Sequence, residues 1–274
     1  MKNKKYYFLG GLMRSGNTLI SSILNQNPDI KVSPNSIVPD LYESLDNLKS
    51  RPNFDLHDSN LDLIDNFLKK SMDIFYENVD CKYLIDRNGA WGTPENLEKI
   101  KKYVTEDVKI IFPVRNITDI LSSFVRSLKS HPDNIITQEA FEHTYPYLSD
   151  EDRICDYLMS TGSPMLDLQL YSLKNLLKEE NRKYLHIIEY EDLVSNPKKQ
   201  IRKIYDFLEI PYYDHDFKNI CQYSFENKSY NDIESLGVPL HSINTGIVRK
   251  RSPRSKTVLS KYAYQKYSNL EFWR

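Results

Sequence analysis

Arg14 and Arg115 are the residues whose type and place most directly suggest chemistry. Arg14 lies within GGLMRSGNT (10–18). Residues 11–18 keep the spacing of a phosphate-binding loop, G-x-x-x-x-G-K-(S/T), but Asn17 stands where the lysine should be. An apolar run precedes this loop and an amphipathic segment follows it. Strand, tight glycine-containing loop and helix in that order aim backbone N–H groups and a helix N-terminus at one point, which is an anion site. Gly16 permits close backbone approach, Thr18 adds a hydroxyl, and Arg14 brings a permanently charged planar fork. Ser15, Gly16, Asn17 and Thr18 are therefore candidate contacts beside Arg14. Further on, VKIIFPV (108–114) leads into Arg115. A magnesium-dependent phosphotransferase would place a lysine after Gly16 and use an acid at another strand end to help hold the metal. Here Asn17 and Arg115 occupy those places, so the anion is expected to be held by protein cations and no metal.

These side chains need a frame. Four short apolar runs, 6–12, 82–86, 108–114 and 184–190, have the length and β-branched or aromatic bias of buried parallel strands. Amphipathic segments at 17–26, 61–78, 95–104, 117–130, 151–180 and 197–208 read as helices. The last is capped by Ser195-Asn196-Pro197. Alternating strand and helix predicts an α/β fold, with a mainly parallel sheet flanked by helices. Residues 31–58 and 213–256 are the least regular, and loops of that length commonly form lids or substrate walls.

Composition sets the outer bounds. The chain has 274 residues, 27% charged and 40% hydrophobic, enough for one large domain spanning 1–274. A formal net charge of −1 gives no global attraction to nucleic acid or anionic membrane, so any anion site must be a local cluster. Three scattered cysteines offer neither a metal spacing nor a disulfide framework. The short N-terminal apolar run and the lack of any long one suggest a cytoplasmic protein.

FLGGLMRSGNTLISSILNQNPDI resembles the phosphosulfate loop of the sulfotransferases, whose pattern is close to P-(R/K)-S-G-(T/S)-T-L. Met13 replaces the usual proline and Asn17 the usual threonine or serine. IIFPVRNITDILSSF is similar to the second signature of that family, and there the equivalents of Arg115 and Ser123 reach the 3′-phosphate of the donor. IIEYEDLVSNPKKQIRKIYDFLEIP resembles a later segment in which Tyr190 would contact the nucleotide. SLGVPLHSINTGIVRK is similar to a cofactor-covering segment of the tyrosylprotein branch, implying Ser235, Asn244 and Lys250, with Arg249 and Arg251 nearby. Arg126 matches a further arginine of that branch, and NLEFW resembles a tail of bacterial and phage-type members. The resemblance implies a P-loop-like three-layer sandwich, the donor 3′-phosphoadenosine 5′-phosphosulfate (PAPS), and transfer of a sulfuryl group to a hydroxyl or amine. On this reading Arg14 and the loop N–H groups face the bridging oxygen. Arg87, just past a strand end, faces the sulfonate unless it is a surface arginine paired with Asp86, and Ser235 joins them as a catalytic candidate.

The acceptor needs a general base, and here the resemblance fails. The tyrosylprotein branch has a glutamate where this chain has Pro34 and Asn35. Asp40, Glu43, His57 and His131 are the nearby substitutes. The acceptor could be a saccharide, a peptide tyrosine or a small alcohol. Two rival readings remain: a P-loop small-molecule kinase, resting on residues 11–18 alone, and a non-catalytic nucleotide-binding relative, resting on the missing glutamate.

Overall fold

The computed structural model describes residues 4–49, 51, 59–162, 165–250, 252 and 254–274. His57 and Arg251 lie outside them. Five strands, β1 (Lys5–Leu9), β2 (Ile30–Asn35), β3 (Tyr83–Arg87), β4 (Ile110–Val114) and β5 (Leu185–Glu189), form one parallel sheet in the order β2-β3-β1-β4-β5. Every residue of β3 and β4 is buried, as expected for strands covered on both faces.

Alternation along the strands divides the core in two. Phe8, Leu84, Ile110 and Phe112 face one side. There they meet α3 (Ser59–Phe75), α4 (Pro94–Tyr103), α5 (Ile117–Lys129) and α8 (Asp167–Leu176) through Leu68, Leu97, Phe124 and Leu173. Tyr7, Leu9, Ile85 and Ile111 face the other side, against Ile20 and Ile23 of α1 (Asn17–Leu24) and Ile201 and Ile204 of α10 (Pro197–Leu208). The result is the expected three-layer α/β sandwich. The Asn196 side chain accepts the Lys199 N–H at 3.2 Å, and Pro197 opens α10, as the sequence predicts.

Three expectations are corrected. The irregular stretch 31–58 contributes an edge strand and α2 (Val38–Lys49). β2 carries Pro34, whose missing N–H is tolerable only at an edge, and its register against β3 breaks between Val32 and Asn35. The single helix expected over 151–180 is instead α7 (Asp150–Leu158) and α8, with Gly162 in the left-handed region between them (φ +81°). Tyr190 does not end β5. It begins α9 (Tyr190–Ser195), just past the strand tip.

The order of strands sends successive connections to opposite sides of β1, leaving a crevice at the carboxyl ends of the sheet, where open α/β sheets bind ligands. The loop after β1 and the tips of β3, β4 and β5 all open there.

Candidate active site

The loop is shaped by backbone bonds and three unusual torsions. After β1, Gly10 N–H donates to the Ile111 carbonyl and Leu12 N–H to the Pro113 carbonyl, each at 2.9 Å, so the chain stays on β4 before turning. Gly11, Arg14 and Gly16 then adopt φ of +103°, +59° and +95°. A Cβ on Gly11 would lie 2.3 Å from Asn17 Oδ1 and 2.7 Å from Pro113 Cδ, so glycine is required twice over, by torsion and by space.

Two candidate contacts turn out to build the loop. Ser15 is fully buried, and its hydroxyl donates to the Leu12 and Pro113 carbonyls. Asn17 Nδ2 donates to the same Leu12 carbonyl at 2.8 Å. The residue that replaces lysine thus ties the start of α1 back to the turn. The first bond of α1 runs from Ile20 N–H to the Gly16 carbonyl at 2.9 Å, and no side chain caps the helix. The N–H groups of Asn17, Thr18 and Leu19 precede that ladder, giving a positive helix end that an anion can satisfy.

Arginines crowd this end. Arg14 Nε donates to Ser123 Oγ at 3.1 Å, and its guanidinium also donates to the Leu240 carbonyl. Burial, then repulsion by Arg115, pulls the Arg14 pKa down to about 10. Arg115 stands at the tip of β4, donates to the Arg14 carbonyl at 3.2 Å, and lies 4.3 Å over the Tyr190 ring. Its Nε is buried without a hydrogen-bond partner, and Glu191 Oε1 stays 3.7 Å away. Ser123, on α5, accepts from Arg14 and keeps its own O–H to donate. A polyanion fits this group. It would relieve the Arg14–Arg115 repulsion, partner the orphaned Nε and cap α1.

Arg87 is not a surface arginine paired with Asp86. It is buried, and alternation along β3 sends the two side chains to opposite faces. Asp86 accepts from the Tyr76 hydroxyl and, at 2.7 Å, from Trp91 Nε1. Arg87 Nη1 donates to the Tyr230 hydroxyl at 3.0 Å and lies 3.4 Å from Thr18 Oγ1. Arg14, Gly16, Asn17, Thr18, Arg87, Arg115, Ser123, Arg126 and Tyr190 therefore line one cleft of about 1250 Å³. Asn244, Arg249 and Lys250 line the same cleft, with Arg254 beside them.

With this geometry in place, comparison with known proteins decides the family. A model described as "Sulfotransferase family" matches residues 7–215. The chain belongs to the sulfotransferase family. Its fold is similar to that of the sulfotransferase domain of the Synechococcus PCC 7002 olefin synthase, at 16% identity and a TM-score of 0.51, covering 98% of this chain and 97% of that one. It is also similar to a sulfotransferase from Alicyclobacillus acidocaldarius, at 15% identity and a TM-score of 0.50, covering 79% and 85%. No curated protein matches the chain.

Other sequence candidates of this sulfotransferase-family chain fall away from the cleft. Ser235 is exposed on α11 (Asp232–Leu236), and its hydroxyl is engaged at 2.9 Å with the Asn231 carbonyl one turn back. Asp40 and Glu43 are exposed on α2. His131 Nδ1 sits 3.0 Å from the Ser127 carbonyl at the end of α5. The cleft instead contains a group that sequence reading missed. His241 lines it, and Tyr230 and Asp232 pack against His241. His241 lies inside SLGVPLHSINTGIVRK, but the pattern read there singles out Ser235, Asn244 and Lys250, and no motif marks Tyr230 or Asp232. All three come from the stretch 213–256, which has almost no regular structure.

Proposed function

We propose that the cleft holds PAPS and that the chain transfers the sulfuryl group to a hydroxyl or amine acceptor. The carrying observation is the meeting of an uncapped helix N-terminus with Arg14, Arg115 and Ser123, a cationic group in which Glu191, 3.7 Å from Arg115 Nε, makes no hydrogen bond to that nitrogen. Bound there, the donor supplies an activated sulfonate on a phosphate leaving group. Arg14 and the N–H groups of Asn17 and Thr18 stabilise charge that collects on the bridging oxygen as the S–O bond breaks. Arg87, anchored by Tyr230 and beside Thr18, neutralises the sulfonate oxygens. Arg115 and Ser123 hold the 3′-phosphate, and Tyr190, stacked under Arg115, with Arg126, Asn244 and Lys250, encloses the nucleotide. Catalysis on this reading consists of alignment and charge stabilisation, without a covalent enzyme intermediate.

Calorimetry with 3′,5′-phosphoadenosine tests the reading. Micromolar binding that greatly exceeds that of 5′-AMP is expected, and equal binding of the two would overturn it. Among the described residues no helix is long and apolar enough to cross a membrane. A cytoplasmic setting is consistent with the reading.

A further inference from the structure

We propose that His241, oriented by Asp232, is the general base that takes the acceptor proton. This inference rests on the sulfotransferase reading above.

The observations are geometric. Asp232 grips His241 twice. Its Oδ1 lies 2.8 Å from the ring Nδ1, and its Oδ2 accepts the backbone N–H of residue 241 at 2.6 Å. A carboxylate facing Nδ1 fixes the proton there and leaves the lone pair on Nε2. Burial would raise the Asp232 carboxyl, but the hydrogen bonds from His241, with smaller help from charge, outweigh it and hold the pKa below the ordinary value, so the orienting group is ionised at neutral pH. The ring stacks on Tyr230 with centroids 3.9 Å apart and planes 8° apart. The Tyr230 hydroxyl accepts from Arg87 and, at 3.2 Å, from the Asn35 N–H. Arg14 donates to the carbonyl of Leu240, the residue before His241. Two of the arginines at the anion site, Arg14 through the Leu240 carbonyl and Arg87 through Tyr230, thus help to anchor the histidine.

Nε2 faces the Asn35 side-chain amide at 3.5 Å. Asn35 is the position where the sequence leaves an expected glutamate missing. The base has been supplied from across the cleft, on the loop after α11. The step balances as follows. Nε2 accepts the proton of the acceptor O–H while that oxygen bonds to sulfur. The S–O bond to the phosphate breaks, and its electron pair leaves with the nucleotide. The resulting imidazolium is neutralised by Asp232.

The test measures 3′,5′-phosphoadenosine affinity by calorimetry and sulfate transfer from labelled PAPS to phenol, to a primary alcohol and to water. For His241→Gln, affinity should stay within about twofold, while transfer falls by about 10²- to 10⁴-fold, the usual contribution of a positioned base. Imidazole should restore part of the transfer in His241→Ala. In Asp232→Asn, ¹⁵N NMR should show the ring proton redistributed from Nδ1 towards Nε2, a change that a merely structural role would not produce. Transfer by His241→Gln at near wild-type rate would overturn the proposal and leave the sulfotransferase reading intact. A wild-type chain that binds the bisphosphate but sulfates none of the three acceptors would also overturn it. A wild-type chain that fails to bind the bisphosphate would overturn the reading beneath it.

Discussion

Replacing Arg115 by alanine isolates the part of the site assigned to the 3′-phosphate. The guanidinium stands at the tip of β4, held by the Arg14 carbonyl at 3.2 Å and by the Tyr190 face, with its Nε buried without a hydrogen bond and 3.7 Å from Glu191 Oε1. One charge-assisted hydrogen bond contributes about 1.5–3 kcal/mol. That corresponds to a loss of about 10- to 150-fold in 3′,5′-phosphoadenosine affinity. The neighbouring groups respond in known directions. Arg14 is repelled by Arg115, so its removal does not weaken Arg14. Glu191 is already raised by burial and is held down in part by Arg115, so its carboxyl should bind a proton more readily in the variant. The assay is calorimetry of 3′,5′-phosphoadenosine and 5′-AMP against wild type, Arg115→Ala and Arg115→Lys at one fixed ionic strength. The alanine variant should lose the preference for the bisphosphate while 5′-AMP affinity hardly changes. Lysine, with charge but no fork, should fall between. Equal losses for both ligands, with the preference preserved, would show that Arg115 acts on the loop as a whole and would refute the assignment.

Gly11→Ala should lower stability by at least ~2 kcal/mol, combining left-handed strain with overlap on Asn17 and Pro113, and should weaken nucleotide binding; an unchanged denaturation midpoint would contradict this. Asp86 is fully buried, and burial raises its pKa from 3.8 to about 6 against the opposing hydrogen bonds of Tyr76 and Trp91. The native state then holds this proton more tightly than the unfolded state, so the Asp86 contribution to stability should fall by about 3 kcal/mol as pH rises from about 4 to 6. Because other buried groups such as His215 titrate in the same range, the measure is a difference: in denaturant titrations wild type should lose about that much stability relative to Asp86→Asn between pH 4 and 6. His215 is the opposite case: burial lowers it from 6.5 to about 4, and the Tyr205 hydroxyl lies 2.9 Å from its Nε2. Its contribution is complete above pH 6.5 and should be lost, by up to about 3 kcal/mol, as pH falls towards 4. The same stability slope in His215→Gln would argue against it.

Much of the site is legible because it is local. The run before Gly10, the spacing from Gly11 to Thr18 and Arg115 at the end of β4 follow from short-range patterns, and Ser123 from the family signature that begins at Arg115. Asn196 and Pro197 start α10 for reasons contained in four residues. β2 was hidden because an edge strand with Pro34 carries no long apolar run. The break between α7 and α8 was legible in Ser160-Thr161-Gly162-Ser163-Pro164, a run of turn residues with no apolar side chain, which a single-helix reading of 151–180 passes over.

The sequence by itself marked the start of α1 as an anion site and named Arg14 and Arg115 as its cations, and the structure brings both to one cleft. Only the tertiary structure decided how each candidate side chain is used. Ser15 and Asn17 are drawn inward as further donors to carbonyls that the packed loop buries, Ser15 to those of Leu12 and Pro113 and Asn17 to that of Leu12. Ser235 satisfies the backbone of its own helix, while Asp232 at the start of that helix meets His241. The grouping of Asn35, Arg87, Tyr230, Asp232 and His241 joins one edge of the sheet to a loop some two hundred residues later. Such contacts arise from chain closure, which no local pattern encodes.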